Sequence, residues 1–128
     1  ADFSHSVATI LNAQHDFTEK GPDKQQLWKR FTIEPDEAVL QVEELITTTG
    51  TLQAVRKGIR EGNPHPVKFV PMVGTLVHRS DVYEFEGFPI VYLAHYNIKV
   101  WEPADCPLCA KGSKRLKPKA NWAELTGK

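Results

Sequence analysis

The chain has 128 residues, the length of one ordinary domain with a single core. Sixteen basic residues balance sixteen acidic ones, and a 25% charged, 41% hydrophobic composition is typical of a soluble globular chain. That balance argues against nucleic acid or a membrane as the main partner, and no apolar run approaches the ~18 residues of a membrane span.

Phe3, Val7, Ile10 and Leu11 fall at i, i+4, i+7 and i+8, which predicts an amphipathic helix at the start. The stretch ADFSHSVATIL lacks the basic n-region of a signal peptide, so a cytoplasmic location is expected. Residues 15–19 and 27–33 read as short strands on either side of a polar turn at 20–24. A second turn at 34–37 leads into a compact apolar run at 38–42, suited to a buried strand.

From Thr51 the period changes. Leu52, Val55 and Ile59 make an apolar stripe, with Gln53, Arg56, Lys57 and Arg60 directed elsewhere, and Gly62-Asn63-Pro64 supplies the stop. Residues 67–77 read as a strand in which Pro71 implies an edge position or a bulge. Residues 90–94 are another strand, 98–101 a short one. Strand, helix and strand over 38–77 form a βαβ unit, so the fold class is α/β with a mainly parallel sheet. The expected division is an α/β core over 1–105 and an irregular basic tail over 106–128.

Ligands of open α/β sheets bind beyond the carboxyl ends of the strands. The segment after the strand at 38–42 carries Glu43 and Glu44, then Thr47, Thr48, Thr49, Gly50 and Thr51. Hydroxyls and the free N–H groups of a helix start suit a phosphate monoester. A phosphate gains nothing from adjacent carboxylates. Glu43 and Glu44 therefore suit vicinal sugar hydroxyls, which donate charge-assisted hydrogen bonds, or a Mg²⁺ ion. Together they suggest a ribose 5-phosphate.

The stretch VLQVEELITTTGT (39–51) resembles the phosphoribosyl-diphosphate-binding motif of type I phosphoribosyltransferases. FTEK (17–20), KRF (29–31) and the ending WEPADCPLCAKGSKRLKPKANW (101–122) resemble the orotate phosphoribosyltransferase branch. The resemblance implies a Rossmann-like core that lacks the family's N-terminal hood and first strands. It implies transfer of ribose 5-phosphate from phosphoribosyl diphosphate to a nitrogenous base, orotate, with Mg²⁺ as cofactor. By the same resemblance Glu43 and Glu44 hold the ribose hydroxyls, Thr47 to Thr51 hold the 5-phosphate, and Lys20 lies near the pyrophosphate. Arg79, in LVHRSD, aligns with an arginine that contacts the orotate carboxylate. A homodimer or a complementary chain is expected as partner. Glu44, Thr49 and His78 depart from the Asp, Gly and Asp usual at their positions. The alternative is a non-catalytic module of the same fold that binds a phosphoribosyl ligand.

Cys106 and Cys109 are the only thiols, so this is no disulfide scaffold. Their C-P-L-C spacing is that of half a zinc site, which His78 or His95, or ligands from another chain, would have to complete. A turn at the surface is the preferred reading over zinc.

Overall fold

The structure, a computed structural model, describes residues 2–127. These form two compact units divided between Ile98 and Lys99. The first opens with helix α1 (Asp2–Leu11), as the apolar spacing predicts. Its stripe is only half used. Phe3 and Val7 are partly buried against the rest of the unit, whereas Ile10 and Leu11 face outward.

Strands β1 (Glu19–Lys20) and β2 (Gln26–Leu27) pair antiparallel around a 3₁₀ turn at Pro22–Lys24. The polar turn is where the sequence puts it, but the strands are two-residue stubs rather than the predicted 15–19 and 27–33. The chain beyond β2 is consumed by packing: Trp28 and Ile33 are buried against Ile59, with Phe31 beside them.

Strand β3 (Ala38–Ile46) is four residues longer than the apolar run that predicts it. Helix α2 (Gly50–Gly62) follows after three threonines and stops where expected, at a C-cap on Asn63. The Asn63 side chain closes that end, accepting from the Ile33 N–H at 2.8 Å and donating to the Ile33 carbonyl at 2.9 Å. Strand β4 (Lys68–His78) returns parallel to β3 and completes the βαβ unit. Val39 pairs with Phe69 but Gln41 with Val73, so β4 carries two residues more than β3 at this point. Pro71 lies inside that irregularity. It marks a bulge, not an edge, because β4 is flanked on both sides.

Strand β5 (Glu84–Phe85) turns directly into β6 (Phe88–His95), which pairs parallel with β4. The four-stranded sheet has the order β3-β4-β6-β5 and is mixed, mostly parallel. The two turn residues, Glu86 and Gly87, both have positive φ (51° and 79°), the geometry that matches hairpin twist. No strand forms at 98–101.

The core on the α2 side joins Ile46, Leu52, Val73, Phe85 and Ile90. Arg56 lies among them, only 1% exposed, so a residue outside the apolar stripe of the helix is nonetheless buried. Its Nε donates to Gln41 Oε1 at 3.0 Å and its Nη1 to Glu86 Oε2 at 2.6 Å. The guanidinium lies 4.4 Å from the Phe69 ring centroid and 4.7 Å from that of Phe85. Two aromatic quadrupoles thus lie against the guanidinium, and they favour a desolvated cation. Close approach fixes the other side of α2. A Cβ on Gly58 would come within 2.0 Å of the Gln26 carbonyl oxygen, so only glycine lets β2 dock there.

In the second unit, helices α3 (Pro107–Ala110) and α4 (Trp122–Thr126) interrupt the segment read as irregular. Asn121 Oδ1 accepts from the Lys117 N–H at 2.9 Å, and Lys114 pairs with Glu124 at 2.5 Å. No helix among the described residues is long and apolar enough to cross a membrane.

Glu86 gives this architecture an acid-sensitive point. Arg60 and then Arg56 hold its carboxyl down from 4.5 to about 2. A depressed carboxyl stabilises the fold above its unfolded pKa, and that contribution is lost as pH falls through the folded value. Unfolding midpoints in denaturant should therefore drop as pH is lowered from about 4.5 towards about 2. The drop should be smaller in Glu86→Gln; an identical acid profile in the variant would contradict this.

Candidate functional site

A cleft of about 1320 Å³ opens among α1, the β1–β2 hairpin, β3 and the start of α2. Its lining includes Lys20, Glu43, Glu44, Thr48, Gly50 and Thr51, six of the residues singled out from sequence. Thr47, Thr49 and Arg79 are not in that lining. The clustering follows from the βαβ unit. β3 delivers the acids, a three-residue turn reverses the chain, and α2 presents its N-terminus to the same space.

The acids sit differently from the expected loop position. β3 runs to Ile46, so Glu43 and Glu44 are consecutive strand residues, which alternate in direction along a strand, and both border the cleft at the strand's end. They are therefore not an equivalent pair. Glu43, paired in register with Thr75 of β4, is half-buried. Burial, and then the charge of Glu44, push its carboxyl above the usual range. Glu44 is exposed, and its own backbone N–H holds its carboxyl below that range. One is the more readily protonated acid and the other a firm carboxylate.

The threonine turn is relaxed. Thr49, the N-cap of α2, has φ −79°, so the non-glycine residue there adopts an ordinary backbone. Gly50 has no positive φ, and a Cβ there would make only ordinary contact with Thr48 Oγ1 at 3.6 Å. Tight turning is not what requires it. The N-cap residue Thr49 makes no side-chain cap hydrogen bond, and its hydroxyl instead accepts weakly from Gln53 Nε2 at 3.5 Å. The orphan N–H groups of a 13-residue helix, with its positive dipole end, are thus left for a ligand.

Two further lining residues escape a sequence reading. Asp16 and Lys24 border the same cleft. Burial raises the Asp16 carboxyl. No local motif announces either one, because each reaches the cleft only through docking of the hairpin on α2. With them the lining carries acids (Asp16, Glu37, Glu43, Glu44) and cations (Lys20, Lys24) around one space.

Arg79 stands one residue past the paired ends of β3 and β4. Its N–H donates to the Ile46 carbonyl at 2.8 Å, and its Nε is buried with no hydrogen-bond partner among the described residues. Beside it His78, fully buried, stacks on Tyr92 with centroids 5.3 Å apart and planes 11° apart. Its Nε2 lies 3.0 Å from the Val82 carbonyl, while Nδ1 lacks a partner. His78 and His95 are register partners on β4 and β6. Among the described residues no group of three or more His, Cys, Asp or Glu could hold a metal ion.

Comparison with known proteins gives this geometry a context. Over 115 residues, 90% of its length, the chain is 34% identical to an orotate phosphoribosyltransferase of Caldicellulosiruptor saccharolyticus, covering 58% of that protein. Similar matches occur to the enzymes of that name from Thermotoga maritima (32%, 59% covered) and Desulforamulus reducens (33%, 58% covered). The chain is a homologue of the orotate phosphoribosyltransferases. It spans somewhat under 60% of the length of these relatives. No family model matches it, and no solved structure does. Within the homologue, the mostly parallel sheet and the strand-to-helix turn are the parts whose chemistry can be read directly.

The asymmetry of the acids can be measured. A carboxyl with a raised folded pKa stabilises the fold only while protonated, and that contribution is lost as pH rises through the folded value. Near neutral pH, Glu43→Gln should therefore be at least as stable as the parent chain in denaturant unfolding. Its affinity for ribose 5-phosphate should nonetheless fall by about tenfold or more, the equivalent of one charge-assisted hydrogen bond. Lower stability with unchanged affinity would remove Glu43 from the site.

Proposed function

We propose that the chain is a phosphoribosyltransferase that moves ribose 5-phosphate from phosphoribosyl diphosphate to a ring nitrogen of orotate. The observation that carries the reading is the shared cleft, in which an acid-bearing strand end and an uncapped helix start meet. Thr48, Gly50 and Thr51 with the first N–H groups of α2 receive the 5-phosphate. Glu43 and Glu44 accept from the ribose hydroxyls, and Lys20 and Lys24 face the pyrophosphate.

Breaking the bond at the anomeric carbon builds positive charge on the ribose ring and negative charge on the departing pyrophosphate. Carboxylates on one side and ammonium groups on the other stabilise that separation, and the half-buried acid does so at lower local dielectric. The burial cost that raises Glu43 is offset when hydroxyl donors and developing positive charge arrive. No covalent nucleophile is needed.

The donor set also suits Mg²⁺. Hard oxygens are its ligands, and it is commonly bound through one or two carboxylates with substrate phosphates rather than by an all-protein cage. Glu43 or Glu44 would hold it. When bound, it neutralises charge on the diphosphate.

Val91 and Leu93 of β6 are exposed apolar residues, as are Ile10 and Leu11 of α1. They support a partner in this reading, a second copy or a complementary chain. One observation favours the non-catalytic alternative: Arg79, the residue assigned to the base, does not line the cleft.

A single assay separates the two. Pyrophosphate release should be detected from phosphoribosyl diphosphate with Mg²⁺ only when orotate is added. Glu43→Gln combined with Glu44→Gln should lower it by about tenfold or more. Binding of phosphoribosyl diphosphate with no release would replace the enzyme by the binding module.

A further inference from the structure

The proposed reaction leaves Cys106 and Cys109 unused, although both thiols are free and partly exposed. Cys106 precedes the four-residue helix α3 and has an extended backbone (φ −76°, ψ 117°). Pro107 occupies the first helical position, where its fixed φ costs nothing. This brings the Cys106 sulfur back over the helix, where it accepts the Cys109 N–H at 3.4 Å. Cys109 is three residues on, on the neighbouring face of the turn. The chain then leaves through Gly112, with φ 79°, so the loop is closed tightly on both sides.

These contacts make the two sulfurs unequal. The Cys109 N–H and then the Cys109 thiol stabilise a thiolate on Cys106 and hold it below the ordinary thiol range. The neighbouring Cys106 sulfur, and then desolvation, push the Cys109 thiol above it. A thiol that favours the thiolate beside a less acidic one, with two residues between them in a tight turn, is the arrangement of an attacking and a resolving cysteine.

We infer that Cys106 and Cys109 form a redox-reactive dithiol whose reaction partner is a low-molecular-weight disulfide. The Cys106 thiolate attacks one sulfur of that disulfide, forming a mixed disulfide and expelling one thiolate. Cys109 then loses its proton to solvent or to the expelled thiolate, and its sulfur attacks that of Cys106. The intramolecular bond forms as the second small thiolate leaves. Two protein thiols are oxidised and one small disulfide is reduced to two thiols. Half a zinc site is the other use of this spacing, but no third ligand gathers there among the described residues.

The full chain, equilibrated with mixtures of reduced and oxidised glutathione, acid-quenched and alkylated, can be weighed intact. The expected product under oxidising mixtures is a monomer that has lost two hydrogens and takes up no alkylating agent. Cys109→Ser should trap one glutathione on Cys106 roughly tenfold faster than Cys106→Ser traps one on Cys109. Two alkylatable thiols persisting in the most oxidising mixture would overturn the inference. So would equal trapping rates in the two variants, or oxidation only into linked dimers.

Discussion

The placement of the cleft depends on one buried cation. Arg56 leaves the middle of α2 and reaches Gln41 on the site strand and Glu86 in the β5–β6 turn, against two phenylalanine rings. Gln41 is in turn held to the helix, its Nε2 lying 3.3 Å from the Leu52 carbonyl. A desolvated guanidinium is costly unless its donors and faces are occupied. Nε and Nη1 meet Gln41 and Glu86 only when strand, helix and hairpin stand where they do, while Nη2 is buried with no hydrogen-bond partner among the described residues. Conformational specificity is the consequence, because sliding α2 along β3 would strip the charge of its partners. The N-terminus of α2 is thereby fixed two residues beyond the end of the packed helix face, opposite the acids.

Two neighbouring constraints extend this control to the rest of the cleft wall. Glycine at position 58 allows the β2 backbone to lie against the helix, which carries the hairpin with Lys20 and Lys24 to the site. Asn63 ties the far end of α2 to Ile33, just upstream of β3. The same helix is therefore anchored at its middle and its end, while its N-cap residue makes no side-chain cap hydrogen bond. The anchoring contacts of the helix are thus concentrated away from its first turn.

Much of this is legible in the sequence where the period is strong. The apolar run before Glu43 and the i, i+3, i+7 stripe of Leu52, Val55 and Ile59 are enough to fix β3, α2 and the parallel return through β4. The threonine and glutamate cluster is legible because few structural roles need both residue types so close together. Patterning fails where tertiary structure overrides it. Glu43 and Glu44 read as loop residues because they are charged, yet backbone pairing with β4 extends the strand through them. Arg56 falls outside the apolar stripe by helical periodicity, and only the meeting of Gln41, Glu86 and two rings from distant segments makes its burial tolerable. Pro71 is ambiguous from sequence, since an edge and a bulge both excuse a missing N–H; strand order decides it. Asp16 and Lys24 belong to no motif at all.

The central claim is that the uncapped start of α2 and the adjoining threonine turn receive a sugar phosphate. Amide chemical shifts of the isotope-labelled chain, titrated with ribose 5-phosphate and in parallel with ribose, test it most directly. The account predicts saturable shifts at Thr48, Gly50 and Thr51 with ribose 5-phosphate, and none of comparable size at these amides with ribose. Shifts confined to residues outside the cleft, or equal responses to the two sugars, would contradict it.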